Sequence, residues 1–488
     1  MIRKIILSLI LCLFVLSGQA WGESYPIVDT GQNACFNTTR QTGCPDPGEP
    51  FNGQDAQYRG RMARYRDNGD GTVSDLVTGL MWVKARGQRV GWQQGLDGAG
   101  ECRVGGHADW RAPTIKELYS LIDFNGWVQG DERSSTPFID TDYFDFAYGN
   151  TRAGARIIDC QDWSATKYVG TTMGDNPTAF GVNFADGRIK GYGTTLRRAQ
   201  DKKYMRYVRG NPDYGKNDFV DNMIGTVTDR ATGLVWQKKD GGKHKWEQAL
   251  EYCENLELGG RTDWRLPSAK ELQSLVDYTR SPTTSGSAAI DPIFPMTDME
   301  AYFWTSTTHL DGPRPTNAVY VAFGRAMGYF APPRSSAAKR FLDVHGAGAQ
   351  RSDPKDGDPD AYPTGHGPQG DDIRIANAVR CVTGGGVEYY KPPFVRIRAW
   401  KEGNPGAEQG RDPNMRPSQQ RRQRGGQRGP GMQRKPPQEA YDACASLSQG
   451  SKCSVETPHG TLSGICRDMD GDTVCVPENG PGGRAPRQ

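Results

Sequence analysis

Apolar residues recur at helical spacing in the stretch from Trp246 to Asp277. One apolar face at i, i+3, i+4, i+7 and i+10 predicts an amphipathic helix that carries Trp246, Ala249, Leu250, Cys253 and Leu256. Gly259 and Gly260 then predict its stop. Ser268, with Glu271 three residues later, is typical of a capping box and predicts a second helix. The predicted buried face of that helix is Leu272, Leu275 and Val276.

The same pattern occurs 154 residues earlier, from Trp92 to Asp123, with Thr114 and Glu117 at the capping-box positions. Upstream of it, Asp67–Gly71 has the composition of a hairpin turn. Strands are predicted at Thr72–Ser74 and Leu80–Trp82, and their motifs also recur at the same offset. A pattern this long indicates a duplicated domain rather than a solenoid repeat.

Several motifs occur in one order, twice, and together they resemble a known family. They include DNGDGTVSDLVTGLMW, GGRTDWRLPSAKELQSLVD, FWTST and AVRCV. Over residues 66–210 and 218–384 the chain resembles the Lcl C-terminal domain family. The resemblance implies a bacterial secreted domain with a fold similar to C-type lectins and formylglycine-generating enzymes. It also implies adhesion, since the family includes domains that bind sulfated polysaccharide, although a fold does not by itself carry an activity.

The expected fold class is α+β: two tandem C-type-lectin-like domains, loop-rich and disulfide-stapled, and a small cysteine-rich β module. The expected segments are a signal peptide (1–22), an N-terminal disulfide arm (23–65), repeat one (66–213), repeat two (214–390), a basic Pro/Gly/Arg-rich linker (391–438), a four-cysteine module (439–479) and a disordered tail (480–488). Repeat two carries about 35 extra residues in a long loop (331–372). Exposed aromatic side chains there would favour binding, whereas a buried loop would favour a structural role.

The N-terminus has the architecture of a secretory signal. Arg3 and Lys4 precede the apolar run Ile5–Leu16, and small residues near Ala20 suit cleavage. The run is too short to span a bilayer, and no later run is long and apolar enough to do so. We therefore expect a periplasmic or extracellular protein.

Ten cysteines remain after the signal, an even number in a chain bound for an oxidising compartment, so five disulfides are expected. Cys35 and Cys44 are close enough in sequence to close a local loop. The resemblance implies that Cys253 contacts Cys381. Repeat one lacks both of these and has Cys102 and Cys160 instead, which predicts a Cys102–Cys160 bridge.

The four cysteines of the C-terminal module are assigned by hairpin register. A two-residue turn at Asp470-Gly471 places Cys466 directly opposite Cys475 in a non-hydrogen-bonded pair. This favours a Cys466–Cys475 bridge and leaves Cys444–Cys453.

Metal and catalytic motifs are weak throughout the chain. Asp67–Gly71 and Asp468–Asp472 are acidic and Gly-rich but lack the ligand spacing of an EF-hand, so hairpin turns are the better interpretation. The loop motifs of calcium-dependent lectins are absent from the sequence, and the six histidines have no metal-ligand spacing. There is no nucleophile elbow, P-loop or dinucleotide motif either. No catalytic residue, metal site or cofactor is predicted.

Aromatic residues at matched repeat positions could line a sugar platform, but their recurrence favours a core role. They are Trp82, Trp110, Trp163, Trp236, Trp264 and Trp304. Arg111 and Arg265, beside two of these, are expected to be buried structural donors.

The linker contains a basic strap, residues 411–435, with eight basic side chains and one acid, a net charge of +7. Its candidate polyanion-binding residues are Arg416, Arg421, Arg422, Arg424, Arg428 and Arg434. The alternative is a soluble linker. The strap has no aromatic residues on which bases could stack, so no specific nucleic acid is expected.

Together these features favour a non-catalytic binding or adhesion protein that recognises a glycan or another surface polymer. The alternatives are a structural or assembly protein of the bacterial envelope and, third, an enzyme of formylglycine-generating-like fold.

The signal architecture predicts cleavage between Ala20 and Glu23 during secretion. Intact-mass measurement of the secreted protein should show a chain that begins within this window. An intact Met1, or a lipid on Cys12, would contradict the prediction.

Overall fold

The computed structural model describes residues 23–195, 202–332, 337–397, 440, 443–444, 447–457, 460–469 and 472–477. The chain forms two compact units, Met1–Arg416 and Pro417–Gln488. Strands hold 32% of the chain and helices 11%, so the fold is mostly β, with less helix than an α+β class suggests. Among the described residues, no helix is long and apolar enough to cross a bilayer.

The N-terminal arm contains short strands and one 3-10 turn at Asp55–Gln57. Its strands are β1 (Cys35–Phe36), β2 (Gln41–Thr42) and β3 (Tyr58–Arg59). The predicted Cys35–Cys44 disulfide is confirmed.

Repeat one has a small sheet, two short helices and a three-stranded meander. Its elements are β4 (Tyr65–Asp67), β5 (Thr72–Asp75), β6 (Leu80–Val83), α1 (Trp92–Gly98), α2 (Ile115–Ser120), β7 (Asp162–Thr172), β8 (Asn176–Asn183), β9 (Arg188–Gly193) and β10 (Val208–Gly210). The predicted hairpin is confirmed, since Ser74 pairs with Met81.

Repeat two follows the same order and adds strands from its insertion. Its elements are β11 (Phe219–Asp221), β12 (Thr226–Asp229), β13 (Leu234–Gln237), β14 (Lys243–His244), α3 (Trp246–Glu254), α4 (Ala269–Ser274), β15 (Tyr302–His309), β16 (Asn317–Ala322), β17 (Met327–Phe330), β18 (Arg340–Asp343), β19 (Gln350–Pro354), β20 (Asn377–Ala378), β21 (Val382–Gly384) and β22 (Glu388–Tyr389).

Both predicted capping boxes are present. The backbone N–H of Ser268 donates to Glu271 at 2.9 Å, and the Glu271 N–H donates back to the Ser268 hydroxyl at 3.3 Å. Thr114 and Glu117 make the same pair at the start of α2. Each cap satisfies backbone donors that a helix start leaves without partners, so these six-residue helices begin at defined positions.

The two repeats meet through a reciprocal contact between α2 and α4. The Lys116 ammonium donates to the carbonyl of Ser274 at 2.7 Å, and the Lys270 ammonium donates to the carbonyl of Ser120 at 2.9 Å. Lys270 and Ser274 stand 154 residues after Lys116 and Ser120, so the contact has pseudo-twofold symmetry. Each cation binds a carbonyl at the end of the other helix, where the helix dipole favours positive charge.

The repeats also share a core and a sheet. Side chains of α2 and α4 lie in one apolar cluster. The sheet has eight strands in the order β14-β20-β15-β16-β19-β9-β8-β7. Strand β19 joins the two halves because it pairs with β16 on one side and, through Gln350 and Ile189, with β9 on the other. The six matched tryptophans are all buried, which confirms their core role.

The Cys253–Cys381 disulfide is confirmed, but the predicted Cys102–Cys160 bridge is wrong: both thiols are free. Helix α1 ends at Gly98, so Cys102 lies in the following turn and not on the helix face.

At the position of Cys381, repeat one has Tyr207, whose hydroxyl donates to the Gly95 carbonyl at 3.0 Å. A tyrosine thus replaces the disulfide, and the described chain has four disulfides instead of five.

The C-terminal unit is a three-stranded sheet in the order β23-β24-β25, formed by β23 (Lys452–Thr457), β24 (Gly460–Met469) and β25 (Asp472–Pro477). The predicted register is confirmed, since Cys466 is the cross-strand partner of Cys475. The predicted connectivity is wrong: the bridges are Cys444–Cys466 and Cys453–Cys475. The Cα atoms of Cys453 and Cys475 are only 5.9 Å apart although their strands flank β24, so the sheet curls and brings its outer strands together.

The thiol pattern can be tested by alkylation and non-reducing peptide mapping. In the folded protein Cys102, which is partly exposed, should react, whereas the buried Cys160 should react only after unfolding. Peptides joined through Cys102–Cys160, or Cys444–Cys453, would contradict the structure.

Candidate functional site

Strands β17 and β18 form a two-stranded ribbon at the start of the insertion of repeat two. This ribbon presents an aromatic pair. Tyr329 and Phe341 are cross-strand partners, with ring centroids 4.8 Å apart. Phe341 is 48% exposed, which is unusual for a side chain that is normally buried. Arg340 and Lys339 are exposed beside it. The ribbon therefore combines an apolar ring surface with adjacent positive charge.

The base of the ribbon is held by contacts to both repeats. The Tyr329 N–H donates to the Gly370 carbonyl at 2.7 Å. The Asp343 carboxylate accepts from the Tyr168 hydroxyl of repeat one at 2.8 Å and from the Gly346 N–H at 2.7 Å. Burial raises the pKa of Asp343 to about 6. These bonds fix the ribbon's base and leave Phe341 exposed, with Tyr329 half-buried beside it.

The long loop thus has two parts with different environments. Residues 343–351, which lead into and begin β19, are buried between the repeats, the environment expected for a structural loop. Phe341 is exposed, the environment expected for a binding loop. The insertion therefore combines a strand that joins the sheets with a ribbon that faces solvent.

A buried charged cluster lies beside β19 at the junction of the repeats. It pairs Arg188 with Asp311 and Asp186, Lys190 with Asp186, and Asp371 with Arg351 and His345. Three basic side chains therefore face three acids, with the two buried histidines beside them. Because buried charges need partners, this balance suits a permanent interface.

The two histidines of the cluster are held neutral. Burial lowers the pKa of His309 to about 4, and Arg188 adds to the effect. Burial also lowers the pKa of His345 to about 4, although Asp371 opposes the shift. His309 bonds to the Ser352 hydroxyl at 2.7 Å and to the Asp186 carbonyl at 2.8 Å, so its two ring nitrogens are occupied by protein atoms.

A sequence model of the Lcl C-terminal domain matches residues 71–209 and 225–342, more than half of the chain. The chain belongs to the Lcl C-terminal domain family. Neither a curated protein nor a solved structure matches it. Each matched range lies within one repeat, and the second range ends inside the ribbon, at Leu342.

The acidic hairpins of the two Lcl C-terminal domains use their carboxylates within the turn. Asp67 pairs with Lys84 at 2.5 Å, and Asp221 pairs with Lys238 at the matching position of repeat two. Asp70 accepts from the Thr72 N–H at 3.0 Å and from its hydroxyl at 2.6 Å. The carboxylates are therefore engaged locally, as the hairpin interpretation requires.

The other predicted site residues divide into three groups. The arginines of the basic strap, 416–434, lie outside the described residues. Cys444, Cys453 and Cys475 have sulfur atoms within 4.8 Å of one another, but each is in a disulfide and offers no thiolate to a metal. Arg265 is buried and paired with Glu271, as predicted, whereas the Arg111 side chain pairs with Glu117 but is 36% exposed.

Sequence reasoning missed the Tyr329–Phe341 pair and the charged cluster. Tyr329 lies before the start of the insertion at Ala331, and Phe341 lies after it. The presence of these two aromatic residues was the only sign of the pair in the sequence. The charged cluster unites residues from β9, β15 and the insertion, so no spacing in the sequence could show it.

Titration of the buried histidines should make stability depend on pH. The folded-state pKa lies below the unfolded value of 6.5, so the unfolded state binds more protons between pH 6.5 and 4. Stability contributed by the neutral histidines is present above pH 6.5 and is lost as the pH falls towards 4. Asp343 and Asp55, whose pKa values are raised to about 6 and about 7, act in the opposite direction.

The contribution of one histidine can be isolated by comparing how the unfolding free energy of wild type and of His309→Gln changes with pH. Between pH 7 and pH 4 the unfolding free energy of both proteins is compared. That of the variant should fall by about 3 kcal/mol less than that of wild type. Denaturant titration at both pH values measures this, with the exposed His366→Gln as the control. Equal pH profiles for wild type and His309→Gln would refute the assignment.

Proposed function

We propose that this chain is a secreted, non-catalytic binding protein that recognises an anionic polysaccharide of a cell surface or matrix. The observation that carries the proposal is the Tyr329–Phe341 ring pair, in which Phe341 is exposed, with exposed Arg340 and Lys339 beside it. An aromatic face packs well against the apolar face of a sugar ring. Guanidinium and ammonium groups suit sulfate and carboxylate groups.

The basic strap would add a second, less specific contact. Its net charge of +7 attracts polyanions over a distance set by the salt concentration, about 10 Å at 0.1 M. Two linked contacts on one polymer reinforce each other, because the second binds at a high effective concentration. We infer that the ribbon supplies selectivity and the strap supplies electrostatic attraction.

Family membership supports this choice without establishing it. The Lcl C-terminal domain resembles C-type-lectin-like folds, and we propose that fold for each repeat. In our proposal ligand binding uses the insertion of repeat two rather than a calcium loop, because the carboxylates of the acidic hairpins are engaged in their own turns. The signal architecture and the disulfides favour a periplasmic or extracellular location.

A structural or assembly role in the envelope is the second candidate. It is favoured by β19, which is buried and unites the two halves of the large sheet. An enzyme of formylglycine-generating-like fold is less well supported. That chemistry needs a close pair of reactive thiols. Of the two free cysteines among the described residues, Cys160 is buried, and burial raises its pKa to about 12, away from a nucleophilic thiolate.

The proposal is tested by affinity for heparin and for uncharged dextran. Wild type should bind heparin and not dextran, and Phe341→Ala should weaken heparin binding by about threefold to tenfold, the loss expected for one aromatic contact. Phe394→Ala, which removes an exposed ring outside the ribbon, is the matched control. Deletion of residues 411–435 should mainly reduce the salt dependence of binding.

The outcomes separate the candidates. If Phe341→Ala and Arg340→Glu bind like wild type while the strap deletion abolishes binding, the ribbon is not the site. If wild type binds no sulfated polymer at low salt, the structural role is the better account.

A further inference from the structure

The N-terminal arm covers the outer edge of β15 in repeat two. The Thr308 N–H donates to the Gln32 side-chain oxygen at 2.9 Å, and the Gln32 amide donates back to the Thr308 carbonyl at 2.8 Å. One side chain therefore satisfies both main-chain groups that an edge strand presents. Beside it, Phe36 of the arm packs in one apolar cluster with Leu310.

The arm also brings a carboxylate and a ring to this edge. The Asp55 carboxylate accepts hydrogen bonds from the hydroxyls of Thr307 and Thr30. The Arg265 guanidinium lies 5.4 Å from the centre of the Tyr58 ring. The arm thus covers β15 through its side chains: the Gln32 amide, the Asp55 carboxylate and the Phe36 ring.

Strand β7 of repeat one has an edge that corresponds to the edge of β15 in repeat two. The Thr166 hydroxyl accepts from the Ile115 N–H at 2.9 Å, and the Thr307 hydroxyl accepts from the Ala269 N–H at 2.9 Å. The next contact also matches: the Ala165 N–H donates to Pro113, as the Ser306 N–H donates to Pro267. These bonds align Thr166, Lys167, Val169 and Arg111 of repeat one with Thr307, Thr308, Leu310 and Arg265 of repeat two.

The matched positions differ sharply in exposure. Val169 is 40% exposed and Leu310 is 1% exposed. The Arg111 side chain is 36% exposed and that of Arg265 is 4% exposed. Strand β7 is the last strand of the eight-stranded sheet, and within the described ranges no strand pairs with the outer edge of Thr166–Val169. We call Thr166, Lys167, Val169 and Arg111 the open edge.

We propose that the open edge binds an extended acidic segment of another protein by strand addition, at the place where side chains of the arm cover the matching edge of β15. The main-chain groups of β7 would pair with the segment, and Val169 would pack against an apolar side chain of it. Lys167, which is exposed, places positive charge at the edge, and this charge complements an acidic partner, whereas the charge of Arg111 is paired with Glu117. Thr166 would donate its hydroxyl hydrogen to a carboxylate, as Thr307 does to Asp55.

A second copy of this chain is a poorer occupant. Antiparallel pairing of two β7 strands about Lys167 would place two lysines opposite each other, and like charges at that position oppose pairing. Lysine at an edge is a common protection against such self-association. The partner we infer is therefore a different, acidic polypeptide segment.

The arm itself provides the probe. A fluorescent synthetic peptide of residues 27–37, with Cys35→Ser to prevent oxidation and Thr30→Asp to supply the carboxylate, should bind the full secreted chain saturably in a polarisation assay. The same peptide with Thr30→Asn should bind less tightly. Val169→Glu should weaken binding at least tenfold, and Lys167→Glu should weaken the Asp peptide more than the Asn peptide.

Val220→Glu is the matched control, because Val220 is a 37% exposed valine on β11, an edge strand of a different sheet. It should leave binding unchanged. The proposal is overturned if no saturable binding occurs, or if Val169→Glu binds like wild type. It is also overturned if sedimentation shows a dimer that Val169→Glu dissociates, because a second copy would then occupy the edge.

Discussion

The reciprocal contact of Lys116 and Lys270 with the opposite helix ends is the constraint on which the large unit depends. Lys270 is buried and Lys116 is half-buried, and burial lowers the pKa of each ammonium to about 8. Such groups are destabilising unless carbonyls surround them, so the two repeats must dock in one orientation for both lysines to be satisfied. Lys116 also donates to the Gly215 carbonyl and Lys270 to the Asp29 carbonyl, which joins the start of repeat two and the arm to the same interface.

Departures from this symmetry produce the surfaces on which both functional proposals rest. The arm covers the β15 edge and leaves the β7 edge open, so one duplicated structure has one occupied site and one exposed site. The insertion supplies β18, which pairs with β17 to form the ribbon, and then adds β19 to the sheet. The buried charges next to β19 are balanced, which fits a permanent junction rather than a ligand site.

Disulfide placement shows where local patterns stop being informative. The hairpin register of Cys466 and Cys475 could be counted from the turn, because strand pairing is local. Their actual partners follow from the curl of the sheet, which depends on how three strands pack. In repeat one, Cys102 is not on the helix face because α1 ends four residues earlier, at Gly98, and Tyr207 fills the place of a disulfide.

The sequence by itself determined the duplication, both capping boxes, the hairpin turns and the tryptophan core. Each of these depends on residues close in the chain or on a pattern repeated at constant spacing. Only the tertiary structure decided that β19 joins two sheets, that Cys160 stays a free thiol, and that Arg111 is exposed while Arg265 is buried. These properties depend on which distant segment covers a surface. Arg111 and Arg265 are the same residue type at matched positions, so their own sequence carries no sign of the difference in exposure.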